Sequence, residues 1–492
     1  MRESGILMHI TSLPNPYGIG TMGKCAYDFL DFVAKAGQSY WQILPVNPTG
    51  YGDSPYQAFS TCAGNHYLID LDFLVRDGLL TQQELDEAYW GNDPSRVDYG
   101  ALYNNRLKVL RKAYSRFVPN GDYDSFVEEN SRWLPDYCLF MVLKESFGGA
   151  CWLQWPEELR RHQEDALAVK REALAEEISL HQFLQYVFYK QWRDLREYAK
   201  DKGIRIIGDV PIYVPLDSVD VWANPELFQL DEDRYPVKVA GCPPDAFTAD
   251  GQLWGNPVYD WGKIAETGYD WWIRRLQAAE QMYDVIRIDH FRGFESYWAV
   301  PARDETAANG CWEKGPGMDF FRVIQSVMPD FAFIAEDLGY VTQEVRQLVE
   351  DSGYPGMKVI QFAFDSREES NYLPHTYPVN SVCYSGTHDN TTLKQWFDEA
   401  APQDVEYAKR YLGLNPEEGY VWGMIRGAMS TVSRLCVVQM QDYLELDKAG
   451  RMNQPGSLSM ANWTWRAKRG FATDALAEKI YQLTDLYGRL KV

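Results

Sequence analysis

Short apolar runs alternate with longer amphipathic stretches along this chain, and no stretch repeats another. The runs at 6–10, 40–46, 204–210, 285–288, 331–335, 357–364, 381–384 and 435–440 are rich in Val, Ile and Phe. Such near-continuous apolar runs are the pattern of strands buried on both faces. Between them, apolar residues return at helical spacing. In 180–202, Phe183, Leu184, Val187, Phe188, Trp192 and Leu195 share one side, and 319–327, 343–351 and 473–489 read the same way. Parallel strands need a crossover between them, so eight strands alternating with helices predict an α/β fold, a (β/α)8 TIM barrel.

The spacing is uneven. The interval 50–180 carries helical patterns of its own at 81–89, 101–117 and 124–146 and is expected to be a mostly helical subdomain inserted on the C-terminal rim. A second insertion, 211–284, reads as loop-rich, with Pro, Gly and Trp throughout. Its 241–257 stretch is the expected active-site loop. The whole of 1–492 is expected to be one catalytic barrel, since the stretch beyond the eighth run is too short for a C-terminal β-sandwich domain.

Composition narrows the partners. The formal net charge of −22 argues against nucleic acid and anionic membranes, both of which attract clustered Lys and Arg. Eight scattered cysteines, none in a CxxC pair, read as reduced thiols, and no signal peptide or long apolar span is visible. A cytoplasmic location is expected, with a plastid the alternative. Aromatic residues make up 14% of the chain, which suits both a large core and a surface on which sugar rings stack.

Gly18-Ile19-Gly20-Thr21-Met22-Gly23 satisfies G-x-G-x-x-G after a strand. A dinucleotide site also wants an acid ending the next strand, where this chain has Pro45-Val46-Asn47-Pro48. The glycines are therefore expected to form a tight loop near the barrel mouth. The seven histidines are dispersed, and no metal-ligand spacing or P-loop occurs. Neither a metal nor another cofactor is expected.

Catalytic groups of a barrel gather where its strands end. Asp209 closes the third run, Arg287-Ile288-Asp289-His290 the fourth, Ala335-Glu336-Asp337 the fifth, and Thr387-His388-Asp389-Asn390 comes after the seventh. Helix capping accounts for one strand-end acid more easily than for four at such positions. The segments Arg287–Gly293, Ala335–Gly339 and Gly386–Asn390 resemble the catalytic regions of the α-amylase superfamily. The flanking runs at 45–56, 241–247 and 462–466 narrow this to a resemblance with the amylomaltase (4-α-glucanotransferase, disproportionating enzyme) family, glycoside hydrolase family 77, over about residues 5–470.

The resemblance implies a retaining 4-α-glucanotransferase. Asp289 is similar to the nucleophile, with Arg287 two residues back on the same strand face to hold it ionised. Glu336 is similar to the general acid/base, with a pKa raised by burial and neighbouring carboxylates. Asp389 is similar to the third acid, on the donor sugar's hydroxyls, and His290 and His388 add donors near the cleavage point. Tyr56 resembles an aromatic platform for the attacked sugar, with Ser54 beside it, and Asp209 a supporting acid. Asp245, Gln252 and Trp254 lie on the loop implied to arch over the acceptor. Asn462 and Asp365 are donor-side candidates, and Tyr51 and Tyr99 match a secondary glucan site. The implied partners are α-1,4-glucans (maltooligosaccharides, amylose, starch or glycogen) and glucose. A hydrolase of the same superfamily is the enzymatic alternative and a catalytically silent glucan-binding scaffold the non-enzymatic one. The 241–257 loop and the expected lack of a C-terminal β domain favour transfer over hydrolysis, and the intact Asp289, Glu336 and Asp389 argue against the scaffold.

Overall fold

The protein is described by a computed structural model that covers residues 2–244, 250–339, 341–366 and 372–491, with the side chain of Tyr51 excepted. Its strands in chain order are β1 (Glu3–Leu7), β2 (Tyr40–Gln42), β3 (Arg205–Pro211), β4 (Lys238–Cys242), β5 (Gln252–Pro257), β6 (Val285–Asp289), β7 (Ser296–Pro301), β8 (Cys311–Lys314), β9 (Ala332–Ala335), β10 (Gly356–Val359), β11 (Ser381–Tyr384) and β12 (Leu435–Gln439). Eight of them close a parallel barrel in the order β1-β12-β11-β10-β9-β6-β3-β2. Each overlaps one of the eight apolar runs of the sequence, with β1 beginning three residues before its run at 6–10. Two are shorter than the runs suggest. The ladder leaves β2 where Leu44 N–H turns to bond His9 Nδ1 at 3.2 Å, and β10 gives way to the 3-10 turn Ile360–Ala363.

The helix Ala175–Asp201 packs behind the barrel and spans roughly 40 Å at 1.5 Å per residue. Two of its buried glutamines bind loop backbone at both donor and acceptor. Gln185 takes Gly64 N–H at 2.7 Å and gives to Gly64 O at 2.9 Å, and Gln191 does the same at Asp70, at 2.6 and 3.1 Å. The helix thereby ties the start of the 50–180 interval to the barrel wall. Within that interval the expected 124–146 helix is two, Gly121–Glu129 and Leu134–Ser146. Asn120 caps the first and Pro135 opens the second, so each has its own start signal.

The loop-rich expectation for 211–284 needs correction. That interval holds β4 and β5, which join β7 and β8, from beyond β6, in a four-stranded antiparallel sheet ordered β5-β4-β7-β8. It also carries the helices Trp261–Glu266 and Asp270–Met282. Gly241, Cys242, Gly255 and Pro257 interrupt the period-two alternation that would have marked β4 and β5.

Gly18–Gly23 forms a packed loop beyond β1. A Cβ on Gly20 would lie 1.8 Å from Ile10 O, so backbone packs against backbone there. None of the described helices is long and apolar enough to cross a membrane.

One barrel glycine has a measurable role. A Cβ on Gly208, in β3 beside Asp209, would stand 2.2 Å from the Tyr283 ring. Gly208→Ala is expected to cost about 1–3 kcal/mol of stability, as overpacking does, read from the denaturant midpoint.

Candidate active site

A cleft of about 1630 Å³ opens at the C-terminal ends of the barrel strands. Register decides what meets at its base. In the β3–β6 pair, Asp209 lies opposite Arg287 and Pro211 opposite Asp289. Arg287 Nη1 stands 2.8 and 2.7 Å from the two Asp209 oxygens and 2.9 Å from Asp289 Oδ1. Arg287 and Asp209 are buried, while the Asp289 side chain is 28% exposed to the cleft. Burial drives the Asp209 carboxyl up and the Arg287 cation pulls it back down.

Glu336 comes directly after β9, and β9 pairs with β6. Its two oxygens each accept a backbone hydrogen bond, Oε2 from His290 N–H at 2.7 Å and Oε1 from Leu338 N–H at 2.8 Å. Burial pushes this carboxyl up to about 7. Arg287 opposes the shift and Asp289 adds to it. His290 adopts a left-handed backbone, φ 52°, between β6 and the turn Phe291–Phe294. Burial lowers its imidazole to about 4, so at neutral pH it is uncharged. The Trp254 ring meets the imidazole edge-on, centroids 4.8 Å apart.

The third acid rides on the turn after β11. Asp389 Oδ1 accepts a 2.6 Å bond from Asn453 Nδ2 and lies 3.4 Å from His388 Nε2. Arg451 Nη2 donates to Asp389 O at 2.9 Å, and Arg451 Nε to Asn453 O at 2.8 Å. The His388 ring stacks on Tyr56 at 5.0 Å and 17°. Tyr56 O–H donates to Asp209 Oδ2 at 2.8 Å. A continuous polar chain therefore runs from Asp289 through Arg287, Asp209 and Tyr56 to His388 and Asp389.

The 4-alpha-glucanotransferase family model matches residues 8–472. A 4-alpha-glucanotransferase of Clostridium butyricum is 48% identical over 98% of this chain and 100% of its own length. The chain belongs to the 4-alpha-glucanotransferase (amylomaltase) family. One from Thermus thermophilus is 46% identical over 95% of each chain. A solved structure, of the amylomaltase from Streptococcus agalactiae in complex with acarbose, superposes with a TM-score of 0.97, at 42% identity and with all of both chains covered. The activity is accordingly 4-α-glucan transfer, on α-glucan substrates.

In this 4-alpha-glucanotransferase, Ser54, Tyr56, Tyr99, Gln252, Trp254, Arg287, Asp289, His290, Glu336, His388, Asp389 and Asn462 all line the cleft. Asp209 lies behind it, under Arg287 and Tyr56. Asp365 is half-buried beyond the turn after β10 and is not part of the lining. Asp245, and the side chain of Tyr51, fall outside the described residues. Tyr99 O–H donates to Trp463 O at 3.1 Å, and Asn462 holds its own loop by donating to Ser457 O at 3.0 Å. Tyr56 has one ring face against His388, so only part of its ring is open as a platform. Sequence reading passed over Asn453, Arg451 and Trp463. Trp463 stands beside Asn462 in a run already singled out, but nothing in the sequence relates Asn453 to an acid 64 positions earlier.

The ion cluster makes a stability prediction. Arg287→Ala leaves Asp209 buried without its cation, at an expected cost of about 3–5 kcal/mol. Burial has raised the Asp209 carboxyl, so acid neutralises it readily. The loss is expected to be larger at about pH 8 than at about pH 5, measured as denaturation midpoints at both.

Proposed function

We propose that Asp289 is the nucleophile of a double displacement, with Glu336 as its acid and base. The observation that carries this reading is the contrast between two carboxyls on paired strands. Asp289 faces the cleft with its Oδ1 held at 2.9 Å by the Arg287 guanidinium, which fixes the orientation of the carboxyl. Glu336 is raised to about 7 by burial, which keeps a proton available near neutral pH. In the first half, an Asp289 oxygen bonds to the anomeric carbon, the bond to the leaving 4-oxygen breaks, and Glu336 supplies that oxygen's proton. In the second half, the 4-hydroxyl of an acceptor gives its proton to Glu336, bonds to the anomeric carbon and releases Asp289. One α-1,4 bond is exchanged for another.

Asp389 and His388 hold hydroxyls of the donor sugar, and neutral His290 offers another polar contact beside Trp254. Maltooligosaccharides and the longer chains of amylose, starch or glycogen are the donors, and glucose or a glucan is the acceptor. Gln252 and Trp254, on β5, cover the acceptor side and disfavour water. Tyr51 and Tyr99 remain the proposed secondary glucan contact, Asp245 an acceptor-side contact and Asp365 a donor-side one.

Two experiments test the roles. Asp289→Asn is expected to fold normally and to lose at least about 10³-fold in maltotriose disproportionation, since no glycosyl-enzyme can form. A folded variant with near-normal turnover removes the assignment. The kcat/KM for maltotriose is expected to fall as pH rises through about 7, because Glu336 then loses the proton the leaving oxygen needs. Glu336→Gln should lose most of its activity on maltotriose yet still react with an α-glucosyl fluoride, whose leaving group needs no proton. Equal losses on both donors count against the acid role.

A further inference from the structure

Asp442 takes no part in the chemistry above, yet it is fully buried just beyond β12, in the helical turn Met440–Tyr443. Each of its oxygens accepts one short hydrogen bond. Ser385 O–H donates to Oδ2 at 2.6 Å, and Leu393 N–H donates to Oδ1 at 2.7 Å. Ser385 is the first residue after β11, and Leu393 opens the helix Leu393–Glu399. Between them lie residues 386–392, the turn that carries His388 and Asp389. One carboxyl group therefore grips both ends of that turn.

The rest of the turn has little slack. Gln361, after β10, donates to Thr391 O at 2.8 Å and accepts from Thr391 O–H at 3.0 Å. Asn390 Oδ1 accepts from both the N–H and the O–H of Thr387, at 2.8 and 2.9 Å. A Cβ on Gly386 would lie 2.5 Å from Gln439 Nε2 and 2.6 Å from Gln361 Nε2. Burying a carboxyl is costly: burial pushes Asp442 up to about 7 against the pull of its two hydrogen bonds. A turn that needed only filling would be served at lower cost by an apolar side chain. A carboxyl provides what an apolar side chain lacks, two acceptors at a fixed spacing, each matched here to a different end of one turn.

We propose that Asp442 is a positioning residue for glucan transfer, acting through the 386–392 turn to hold Asp389 and His388 against the donor sugar. This rests on the reading of Asp389 as a substrate contact. The group acts at a distance, so its effect falls on turnover more than on binding, since the cleft's many other contacts are untouched. A displacement of about 1 Å at a reacting centre is enough to cost up to about 10²-fold.

The test compares Asp442→Ala, Asp442→Asn, Ser385→Ala and Asp389→Asn in maltotriose disproportionation, with melting temperatures for each. The Asn side chain keeps an acceptor for Leu393 N–H and offers its NH2 to Ser385 Oγ, so it should restore the grip. Expected are a fall in kcat of about 10- to 100-fold for Asp442→Ala with KM within about twofold, and recovery to at least about half of wild type for Asp442→Asn. Ser385→Ala, a small change that removes one of the two bonds, is expected to lower kcat about threefold or more, and it decides the question if Asp442→Ala does not fold. The proposal is overturned if folded Asp442→Ala and Ser385→Ala both turn over normally while Asp389→Asn is inactive. It is overturned equally if activity merely tracks melting temperature and Asp442→Asn is no better than Asp442→Ala. Near-normal turnover by Asp389→Asn overturns the reading beneath the proposal, and the proposal with it.

Discussion

A single guanidinium serves two carboxylates at the base of this cleft. Arg287 bonds Asp209 behind it and Asp289 in front, and the three are set by the register of two neighbouring strands. A cation shared in this way makes the two acids unequal. Asp209 is sealed from water and acts as a counter-ion with a second duty, accepting the Tyr56 hydroxyl. Asp289 keeps an exposed side, open to the cleft. Removing charge from water is expensive unless it is paired and hydrogen-bonded. The same network that stabilises the barrel mouth therefore also orients the Asp289 carboxyl.

Glu336 belongs to the same field but feels it differently. It receives two backbone N–H groups and no guanidinium hydrogen bond, so burial dominates and its carboxyl rises to about 7. Two acids on paired strands thus sit in different settings: Asp289 has a cation in hydrogen-bond contact, and Glu336 has two backbone N–H groups. That difference is what the proposed double displacement draws on, and it arises from packing rather than from the chemistry of Asp against Glu.

The cleft walls come from elements far apart in the chain. β5 supplies Gln252 and Trp254 on one side and the 453–464 loop supplies Asn453 and Trp463 on another, while Tyr56 and Tyr99 come from the 50–180 interval. Hydrogen bonds cross these boundaries: Asn453 joins its loop to Asp389, and Tyr99 joins the 50–180 interval to Trp463.

Much of this was legible in the residues. The eight barrel strands appear as apolar runs because strands buried on both faces admit few polar residues, and those few, such as Asp209 and Arg287, are paired with one another. The strand-end acids stand out because a barrel gathers its chemistry at one end of every strand. Asp289, Glu336, Asp389 and Asp209 could be read as a group on that ground alone. Local signals fail where a contact is made between distant segments. β4 and β5 are short and broken by glycine, and their partner β7 lies on the far side of β6, so no local period announces their sheet. Asn453 is an ordinary polar residue until the fold places it 2.6 Å from Asp389, and nothing in the sequence sets Asp442 apart until it is found inside the protein between Ser385 and Leu393. Periodicity and strand position are properties of neighbours in sequence and were determined there. Which cation each carboxylate meets, and how far burial moves its proton, depend on distances of a few ångströms between distant segments, and only the tertiary structure decides those.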